Sequence, residues 1–469
     1  MAAAQRSLAW IRFVALAVSL VLGACSQPVP PPETSGELRV GVRNAPATYY
    51  RDEQDRRAGF EHDLIEAFAQ KQNWSLDWVE RDRREALFEL LDSHRAHLGA
   101  ATLPRPVVRD RHLIAGPILY ETPVHVVCRA ADKRPRGASD LAGKRVALLA
   151  GSGHLPLLAR EKRKHPALSW TVLEHAWPEE LLAQLRANQY DAVLVNGADF
   201  DSLRNFYPEL TVAFNLGDPQ QIVWALAPRS SRAFQNTLAR FIEQARQDGT
   251  LKRIHERYFG HVRRLAPSDI LGILQRHPQR LPALRRHFHE AQTLTGIDWR
   301  LLAAIGYQES QWNASATSPT GVRGLMMLTS ETADRMGISN RLDARQSILG
   351  GARYLVLLKE SLPERIAEPD RTWLALAAYN QGLGHLEDAR RIAQARGGDP
   401  DSWADVKEAL PYLSRGTYAA AMKYGYARGY EALSFAENIR NYYDILQRLE
   451  PVYDPLFNLG LGEDAQTPG

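Results

Sequence analysis

Hydrophobic and polar positions alternate in two different ways along the chain, and the change divides it into two parts. From Glu37 to about Gly260, short apolar runs alternate with helix-like segments. Leu38-Arg39-Val40-Gly41-Val42 has the period of two that is typical of a strand, and the segment from Gly59 to Phe68 begins a helix. Further apolar runs lie at 146–149, 192–195 and 222–227. This alternation predicts α/β lobes with mostly parallel strands.

Helical spacing dominates the second part. Asp298 is the predicted N-cap of a helix in which Leu301, Leu302 and Ile305 share one side. Glu309 follows on the same side and therefore points away from water. Burial raises the pKa of a carboxyl group, so this one can stay protonated near neutral pH and donate a proton to a glycosidic oxygen. The alternative is a glutamate at the end of an amphipathic helix, paired with an arginine.

Two later segments could form a wall beside this acid. Ser318-Pro319-Thr320-Gly321 predicts a turn, and Gly324-Leu325-Met326-Met327-Leu328 follows it, with a glycine that permits close backbone approach. The segment from Trp373 onwards predicts a helix of small and apolar residues that ends in a phenol and an amide, Tyr379 and Asn380. In an ordinary core these polar tips would be satisfied by backbone groups, whereas in a site they would hold the acid and the substrate.

The order of these motifs resembles that of the lysozyme-like soluble lytic transglycosylases. Glu-Ser, Gly-Leu-Met and Ala-Tyr-Asn occur in sequence over roughly 266–449. The resemblance implies a mostly α, lysozyme-like catalytic domain over 266–452 that acts on peptidoglycan glycan strands. By motif position, Glu309 matches the catalytic acid and Ser318 a residue near the reacting sugar. Tyr379 matches the tyrosine that hydrogen-bonds the acid, and Asn380 its neighbour.

The same resemblance implies that the Gly-Leu-Met segment contacts substrate. It comprises Gly324, Leu325, Met326 and Met327. Many members have a glutamine where this chain has Met327, and methionine cannot donate a hydrogen bond to a sugar amide. Recognition at that subsite therefore differs here, while the role of the acid is unaffected.

A single acid in the motifs bears on the reaction. Most glycosidases use two carboxyl groups, but Glu331 is better explained as a first-turn acid that the helix dipole favours. The family reaction, as the resemblance implies it, cleaves the β-1,4 bond between N-acetylmuramic acid and N-acetylglucosamine. It leaves a 1,6-anhydromuramyl end, with one acid acting first as donor and then as base. A muramidase that hydrolyses the same bond stays open.

The first part of the chain resembles the family 3 solute-binding proteins. Gly59-Phe60-Glu61-His62-Asp63-Leu64 and the element order carry the likeness. It implies a two-lobed α/β periplasmic-binding-protein-like domain over 37–262 of the kind that closes on amino acids or small peptides. We hypothesise that this domain is non-catalytic and regulatory, and that it senses a muropeptide or an amino acid. Arg109 is the candidate for the ligand carboxylate and Asp199 for its amino group, although each could be structural. A solute-binding receptor for import or signalling is a third interpretation of the chain.

The N-terminal segment predicts a lipoprotein. Arg6 and Arg12 flank or enter an apolar run that ends in Leu22-Gly23-Ala24-Cys25, which resembles a bacterial lipobox. Residues 1–24 would be a signal peptide, and 25–36 an acylated Cys25 with a proline-rich linker. Ser26 after the cysteine favours the outer membrane, with the protein lipid-anchored on the periplasmic face. Residues 453–469 would be a C-terminal tail.

Length, charge and cysteine content bear on the number of domains, on nucleic-acid binding and on disulfide bonds. A chain of 469 residues exceeds one ordinary domain, and its net charge of +4 is too small to indicate nucleic-acid binding. Cys128 is the only cysteine besides Cys25, so an acylated Cys25 leaves no intramolecular disulfide. No metal-binding motif is present, and the sequence predicts neither a metal nor a cofactor.

Overall fold

The computed structural model describes residues 28–45, 48–51, 55–262, 265–318 and 321–454. The chain folds into two compact units. The first unit runs to Leu203 and resumes over Glu209–Ile254, and the second comprises Arg204–Pro208 and the chain from His255 onwards. The predicted division into an α/β part and a mostly helical part is confirmed.

Two five-stranded sheets form the framework of the first unit. The first sheet has the order β4-β1-β5-β12-β6 and the second the order β11-β7-β10-β8-β9, while β2 and β3 form a separate pair. The strands are β1 (Glu37–Val42), β2 (Tyr50–Arg51), β3 (Arg57–Ala58), β4 (Ser75–Glu80), β5 (Leu98–Pro104), β6 (Ile114–Thr122), β7 (Val124–Arg129), β8 (Val146–Leu149), β9 (Thr171–Leu173), β10 (Ala192–Asn196), β11 (Leu210–Asn215) and β12 (Gln220–Leu226). Each sheet is the centre of one lobe, as predicted.

The strand directions follow from the connections. Strand β1 is parallel to both β4 and β5, because helices connect these strands. Strand β12 is antiparallel to both β5 and β6, and β10 is parallel to β8 but antiparallel to β7. The chain passes from the first sheet to the second between β6 and β7 and returns between β11 and β12. The result is a pair of lobes joined by two crossings.

Helices cover both sheets, and the last of them reaches the second unit. They are α1 (Pro32–Ser35), α2 (Phe60–Gln72), α3 (Arg84–Asp92), α4 (Arg105–Asp110), α5 (Leu155–Lys164), α6 (Pro178–Arg186), α7 (Gly197–Leu203), α8 (Arg232–Gln247) and α9 (Thr250–Phe259). The division between the units falls within α9, before the predicted domain boundary at 262. The reason is that Glu256 of this helix forms ion pairs with Arg440 and Lys407 inside the second unit.

The described part of the second unit is mostly helical. Its helices are α10 (Pro267–Thr295), α11 (Trp299–Ser310), α12 (Ser330–Arg335), α13 (Ala344–Glu360), α14 (Asp370–Gln381), α15 (Leu383–Ala395), α16 (Trp403–Ala409), α17 (Gly416–Ala419) and α18 (Gly429–Leu449). Helix α11 is the central element, since every residue from Trp299 to Tyr307 is buried. Helices α10, α13 and α18 pack around it.

None of the described helices combines the length and the apolar character that a membrane crossing requires.

Candidate active site

Helix α11 carries the predicted acid at its C-terminal end. The side chain of Asp298 accepts a hydrogen bond from Arg300 N at 2.8 Å, so the predicted N-cap is confirmed. Leu301, Leu302 and Ile305 are buried, also as predicted. The helix ends at Ser310, one residue after Glu309, because Gln311 adopts a left-handed conformation with a φ of 53°. The acid thus projects from the last turn of a rigid, buried helix.

Glu309 occupies a poorly solvated position. The residue as a whole is half-buried. Burial raises the pKa of its carboxyl group from the ordinary value of 4.5 to about 8, and no charged neighbour contributes to that shift. An arginine partner would lower the pKa instead, so the described part of the chain does not support a glutamate held in an ion pair. A carboxyl group with this pKa stays protonated at neutral pH, and the residue keeps part of its surface exposed.

The predicted loop beside the acid is a tight turn that depends on Gly324. Arg323 and Leu328 exchange backbone hydrogen bonds at 3.2 and 3.1 Å and close the turn. Gly324 has a φ of 85°, and a Cβ atom there would lie 1.7 Å from the backbone oxygen of Arg341. The guanidinium of Arg341 donates to the backbone oxygens of Gly321 and Leu328 at 3.1 and 2.9 Å. Only glycine fits this conformation at this distance.

Two serines attach this turn to the helices behind it. Ser310 Oγ donates to the backbone oxygen of Leu325 at 2.8 Å, which joins the turn directly to the acid helix. Ser347 Oγ of helix α13 accepts a hydrogen bond from Met326 N at 3.1 Å. A Cβ atom on Gly306 would lie 2.7 Å from the side chain of Leu325, so α11 and the turn are in close contact. The position of the turn relative to Glu309 is therefore fixed.

The structure corrects the predicted substrate contacts of this segment. Leu325 and Met326 have no exposed surface, and Gly324 is buried as well. The side chain of Met326 packs on Gly351, where a Cβ atom would come within 2.7 Å of it. These three residues belong to the core and shape the turn from behind. Met327 is half-buried, with a φ of 47°, and stays a candidate for contact with substrate.

Tyr379 is close to the acid but has a different hydrogen-bond partner from the predicted one. Its hydroxyl group donates to the backbone oxygen of Met326 at 3.1 Å. Burial raises the pKa of the Tyr379 phenol, and the negative charge of Glu309 raises it further. The phenol therefore stabilises the turn through this hydrogen bond. It also lies close enough to the carboxyl group of Glu309 for the charge of that group to affect its pKa. Asn380, the next residue, is exposed at the end of helix α14.

Ser318 and Gly321, the two described ends of the predicted turn, are joined by a backbone hydrogen bond. The backbone oxygen of Ser318 accepts this bond from Gly321 N at 3.1 Å, and its hydroxyl oxygen accepts one from Val322 N at 3.3 Å. The side chain is half-buried. Thr317 and Arg323 form an antiparallel bridge that joins this turn to the one at Gly324.

Sequence reasoning missed three residues that position the site: Ser310, Arg341 and Ser347. The first lies directly after the acid, and the other two act from outside the recognised motifs. One signal was available, since Gly350-Gly351 interrupts the apolar pattern of helix α13. Paired glycines inside a helix indicate that another segment approaches closely, which here is the turn that carries Met326.

A second cluster of charges lies between the lobes of the first unit. Asp199 is buried, and burial raises its pKa while Arg84 and Arg43 lower it. Glu61, also buried, has a pKa raised to about 7 by burial and accepts a hydrogen bond from Thr102 N. Two buried guanidinium groups thus face two buried carboxyl groups.

The two arginines keep unused hydrogen-bond donors. In the described chain, Arg84 Nε and Nη1 and Arg43 Nε are buried without an acceptor. Burial lowers the pKa of both groups, to about 9 for Arg43, whose guanidinium lies 4.4 Å from the ring centroid of Trp177. A small cavity is lined by Arg43, Arg84 and Trp177 among others. Arg109, the predicted carboxylate-binding residue, is exposed at the end of helix α4 instead.

Two further predictions from the sequence concern metal binding and the two cysteines. The described residues include no group of three or more His, Cys, Asp or Glu side chains that is arranged to hold a metal ion. Cys25 lies outside the described residues. Cys128 is buried in β7.

Comparison with known proteins covers both parts of the chain. The family model "Transglycosylase SLT domain" matches residues 286–401, and the model "Bacterial extracellular solute-binding proteins, family 3" matches 38–261. One solved structure, an ancestral arginine-binding protein bound to arginine, is similar at 20% identity with a TM-score of 0.43. It covers 48% of this chain and 98% of that one.

Curated relatives match over nearly the full length. The membrane-bound lytic murein transglycosylase F of Thiobacillus denitrificans is 72% identical over 97% of each chain. The protein of the same name from Nitrosospira multiformis is 42% identical over 96% of this chain and 94% of its own. Since identity at this level extends through both units, the chain belongs to the family of membrane-bound lytic murein transglycosylases F.

Proposed function

We propose that Glu309 is the single acid and base of the lytic transglycosylase reaction in this chain. The substrate is the glycan strand of peptidoglycan, cleaved at the β-1,4 bond between N-acetylmuramic acid and N-acetylglucosamine. The raised pKa of Glu309, caused by burial without a charged partner, is the observation that carries this proposal. A protonated carboxyl group at the end of a rigid helix is what the first step of the reaction requires.

The reaction proceeds in two proton transfers. Glu309 donates its proton to the bridging oxygen, and the bond between that oxygen and C1 of the muramyl sugar breaks. The oxygen of the muramyl N-acetyl group stabilises the positive charge that develops at C1. The carboxylate then takes the proton from the C6 hydroxyl of the same sugar, and O6 bonds to C1. The 1,6-anhydro ring forms, and Glu309 is protonated again.

The turn at 321–328 supports this role by fixing the wall of the site. Ser310 links the turn to the acid helix, and Tyr379 links it to helix α14. Met327 and Ser318, which are half-buried, and Asn380, which is exposed, are the candidates for contact with the sugar. Because a hydrogen bond joins the acid helix to the turn, the two keep a constant spacing. The bridging oxygen and the C6 hydroxyl group of a bound sugar therefore stay within reach of one carboxyl group.

Product analysis tests the proposal. Purified full-length protein is incubated with purified sacculi, and the released muropeptides are analysed by mass spectrometry. We expect anhydromuramyl ends, which contain one water molecule less than hydrolysed ends. Glu309→Gln should abolish release while the protein keeps its thermal unfolding transition. Hydrolysed ends would identify a muramidase, and unchanged release by Glu309→Gln would remove Glu309 from the reaction.

We propose further that the domain over 37–262 binds a small zwitterionic ligand, an amino acid or a muropeptide, and is regulatory and not catalytic. The buried donors of Arg84 and Arg43 suit a carboxylate, and Asp199 with Glu61 suits an ammonium group. Arg109 stays the alternative carboxylate partner.

Titration calorimetry of the full chain distinguishes these arginines. The probes are the peptide stem released from sacculi by an amidase, and single amino acids. We expect heat of binding that Arg84→Met removes and Arg109→Met retains, with both variants folded by thermal unfolding. The reverse pattern would return the role to Arg109. No heat with any probe would contradict ligand binding.

The location of the chain is the last part of the proposal. The relatives are named as membrane-bound, and the sequence Leu22-Gly23-Ala24-Cys25 supports a lipid anchor at Cys25. Two or more acyl chains give stable attachment, here to the periplasmic face of the outer membrane. Fractionation of cells that express the full chain, compared with Cys25→Ser, tests this. A Cys25→Ser protein that stays in the outer-membrane fraction would contradict it.

A further inference from the structure

An exposed aromatic segment follows the catalytic motifs and is not explained by them. Tyr424, Tyr426 and Tyr430 are exposed by 49%, 63% and 63%, whereas most large apolar side chains of the second unit are buried. Tyr424 lies in the irregular segment between helices α17 and α18. An aromatic ring held at the surface is a suitable contact for the C–H face of a sugar, because the ring face is electron-rich.

Tyr424 is held in place by a buried acid. Asp388 of helix α15 has no exposed surface, and its carboxylate accepts hydrogen bonds from the backbone N–H groups of Lys423 and Tyr424 at 3.3 and 2.8 Å. These bonds to an ionised group are of the stronger kind and fix the backbone at the ring. The exposed ring is thus part of a rigid arrangement.

A glycine permits the ring to lie against helix α15. A Cβ atom on Gly384 would come within 2.7 to 2.8 Å of three ring atoms of Tyr424. The edge of His385 lies next to the ring, with a centroid distance of 6.3 Å. One side of the ring therefore rests on the protein. The exposed side chain of Lys423, with its Nζ 5.1 Å from the ring centroid, approaches the ring and can move aside.

Unused polar groups lie at the junction of helices α14 and α15, next to the glycine on which this ring rests. In the described chain, the side-chain Oε1 and Nε2 atoms of Gln381 are buried and have no hydrogen-bond partner, and the same holds for Nδ1 of His385. An amide that can donate and accept matches the acetamido group of an amino sugar.

The chain itself limits how far this ring lies from the catalytic centre. Gly384 is five residues after Tyr379, so their Cα atoms are at most about 18 Å apart even in an extended chain. Helix α14 shortens the actual span. Since Tyr379 is in electrostatic contact with Glu309 and Gly384 lies against the Tyr424 ring, the ring and the acid are separated by a distance that a glycan strand of a few sugar units can span.

We infer that Tyr424 forms a sugar-stacking subsite of the catalytic groove. Its ring, supported by Asp388 and Gly384, contacts the face of a sugar remote from the cleaved bond, and Gln381 and His385 hydrogen-bond the acetamido group of that strand. The inference rests on the proposed action on glycan strands. It concerns how a polymer is bound, and Tyr424 is a specificity-determining residue that takes no part in proton transfer.

Steady-state kinetics on peptide-free glycan strands of two length classes test this. Tyr424→Ala should raise KM for long strands about 3- to 10-fold, as expected for the loss of one aromatic contact, with little change in kcat. Short strands that do not reach the ring should be cleaved as by the wild-type protein. Tyr424→Phe keeps the ring and should behave as wild type.

Gly384→Ala provides a second variant, in which Tyr424 is unchanged but its ring is displaced. It should raise KM for long strands as Tyr424→Ala does. Thermal unfolding of each variant identifies any loss of folding. Unchanged KM for long strands in both folded variants would overturn the inference, as would a fall in kcat on short strands.

A binding measurement on a variant that does not cleave the glycan distinguishes this inference from the proposed reaction. Co-sedimentation with sacculi is measured for Glu309→Gln alone and for Glu309→Gln combined with Tyr424→Ala. The double variant should bind more weakly whichever ends the wild-type protein produces. Equal binding would reject the subsite, while hydrolysed ends in the product analysis would reject only the proposed reaction.

Discussion

The hydroxyl group of Tyr379 donates its hydrogen bond to the backbone oxygen of Met326, at 3.1 Å, and not to the carboxyl group of Glu309. A phenol has one proton to donate, so the acid is left without this partner. That arrangement keeps Glu309 free to give its proton to substrate. It also makes Tyr379 a support of the turn, which is a different role from the one that the motif predicted.

Removal of the Tyr379 hydroxyl group should therefore loosen the turn. We expect Tyr379→Phe to lower the free energy of unfolding by about 0.5–1.5 kcal/mol, the net contribution of one hydrogen bond. It should lower kcat by about 10- to 100-fold, because a displaced wall misaligns the sugar. Tyr354→Phe is the matched control, since this nearby phenol, 5.2 Å from the Tyr379 ring, has no hydrogen bond among the described residues. A Tyr379→Phe protein with wild-type kcat and stability would show that the bond to Met326 is not needed.

The raised pKa of Glu309 predicts the pH dependence of activity. The protonated carboxyl group is the proton donor, so kcat should be high below pH 8 and should fall as pH rises through about 8. A profile of kcat against pH on glycan strands gives the apparent pKa. A fall centred near the ordinary value of 4.5 would mean that the carboxyl group is well solvated in the complex.

The raised pKa of Glu309 also predicts how the stability of the folded state changes with pH. The change has the opposite sign to that expected for an acid held in a salt bridge. The folded pKa lies above the unfolded value, so the folded state binds more protons between pH 4.5 and 8. Stability from this group is therefore present below pH 4.5 and is lost as pH rises through about 8. Glu309→Gln lacks this term, and its melting temperature should exceed that of the wild-type protein increasingly as pH rises. A constant difference between the two across this range would contradict the burial of Glu309.

Several features of the site were predictable because they depend on residues close in sequence. Asp298 and Glu309 bracket one helix, and the Ser318 turn lies within four residues. The burial of Leu325 and Met326 was not predictable from that segment alone, because it depends on Gly306 and Gly351 in other helices.

The buried charge cluster of Arg43, Arg84, Glu61 and Asp199 in the first unit shows the same limit. Asp199 was identified from sequence, but its guanidinium neighbours are Arg43 and Arg84, from elements far along the chain, while Arg109 lies exposed. Spacing along one segment indicates a helix or a turn. It does not indicate which side chains from another lobe will face it, since that depends on the packing of both sheets.

Gly324 and Gly321 offer a direct test of the turn. Both have a positive φ, 85° and 84°, but a Cβ atom at Gly324 would lie 1.7 Å from the backbone oxygen of Arg341, whereas nothing lies within 4 Å of one at Gly321. Gly321→Ala should therefore cost only the conformational strain, about 1–2 kcal/mol. Gly324→Ala should cost more than this and abolish activity, because the backbone must move. Equal unfolding free energies for the two variants, measured by denaturant titration, would contradict the close approach to Arg341.

A buried group of charges on helix α18 should contribute strongly to the stability of the second unit. Arg440 donates to Glu437 at 3.0 Å and to Glu256 at 2.6 Å, and Glu437 also accepts from Trp403 Nε1 at 2.8 Å. Glu437 has no exposed surface, so replacement of Arg440 by methionine leaves a buried carboxylate without its main partner. We expect Arg440→Met to lower the free energy of unfolding by about 3–5 kcal/mol.

The exposed ion pair of Arg428 and Glu431 is the matched control for that prediction. Their side chains are 73% and 59% exposed and three residues apart at the start of helix α18, the same helix that carries Arg440. Exposed pairs contribute about 0–1 kcal/mol, so Arg428→Met should be close to neutral. A loss for Arg440→Met as small as that for Arg428→Met would mean that the buried pair contributes little to the stability of the unit.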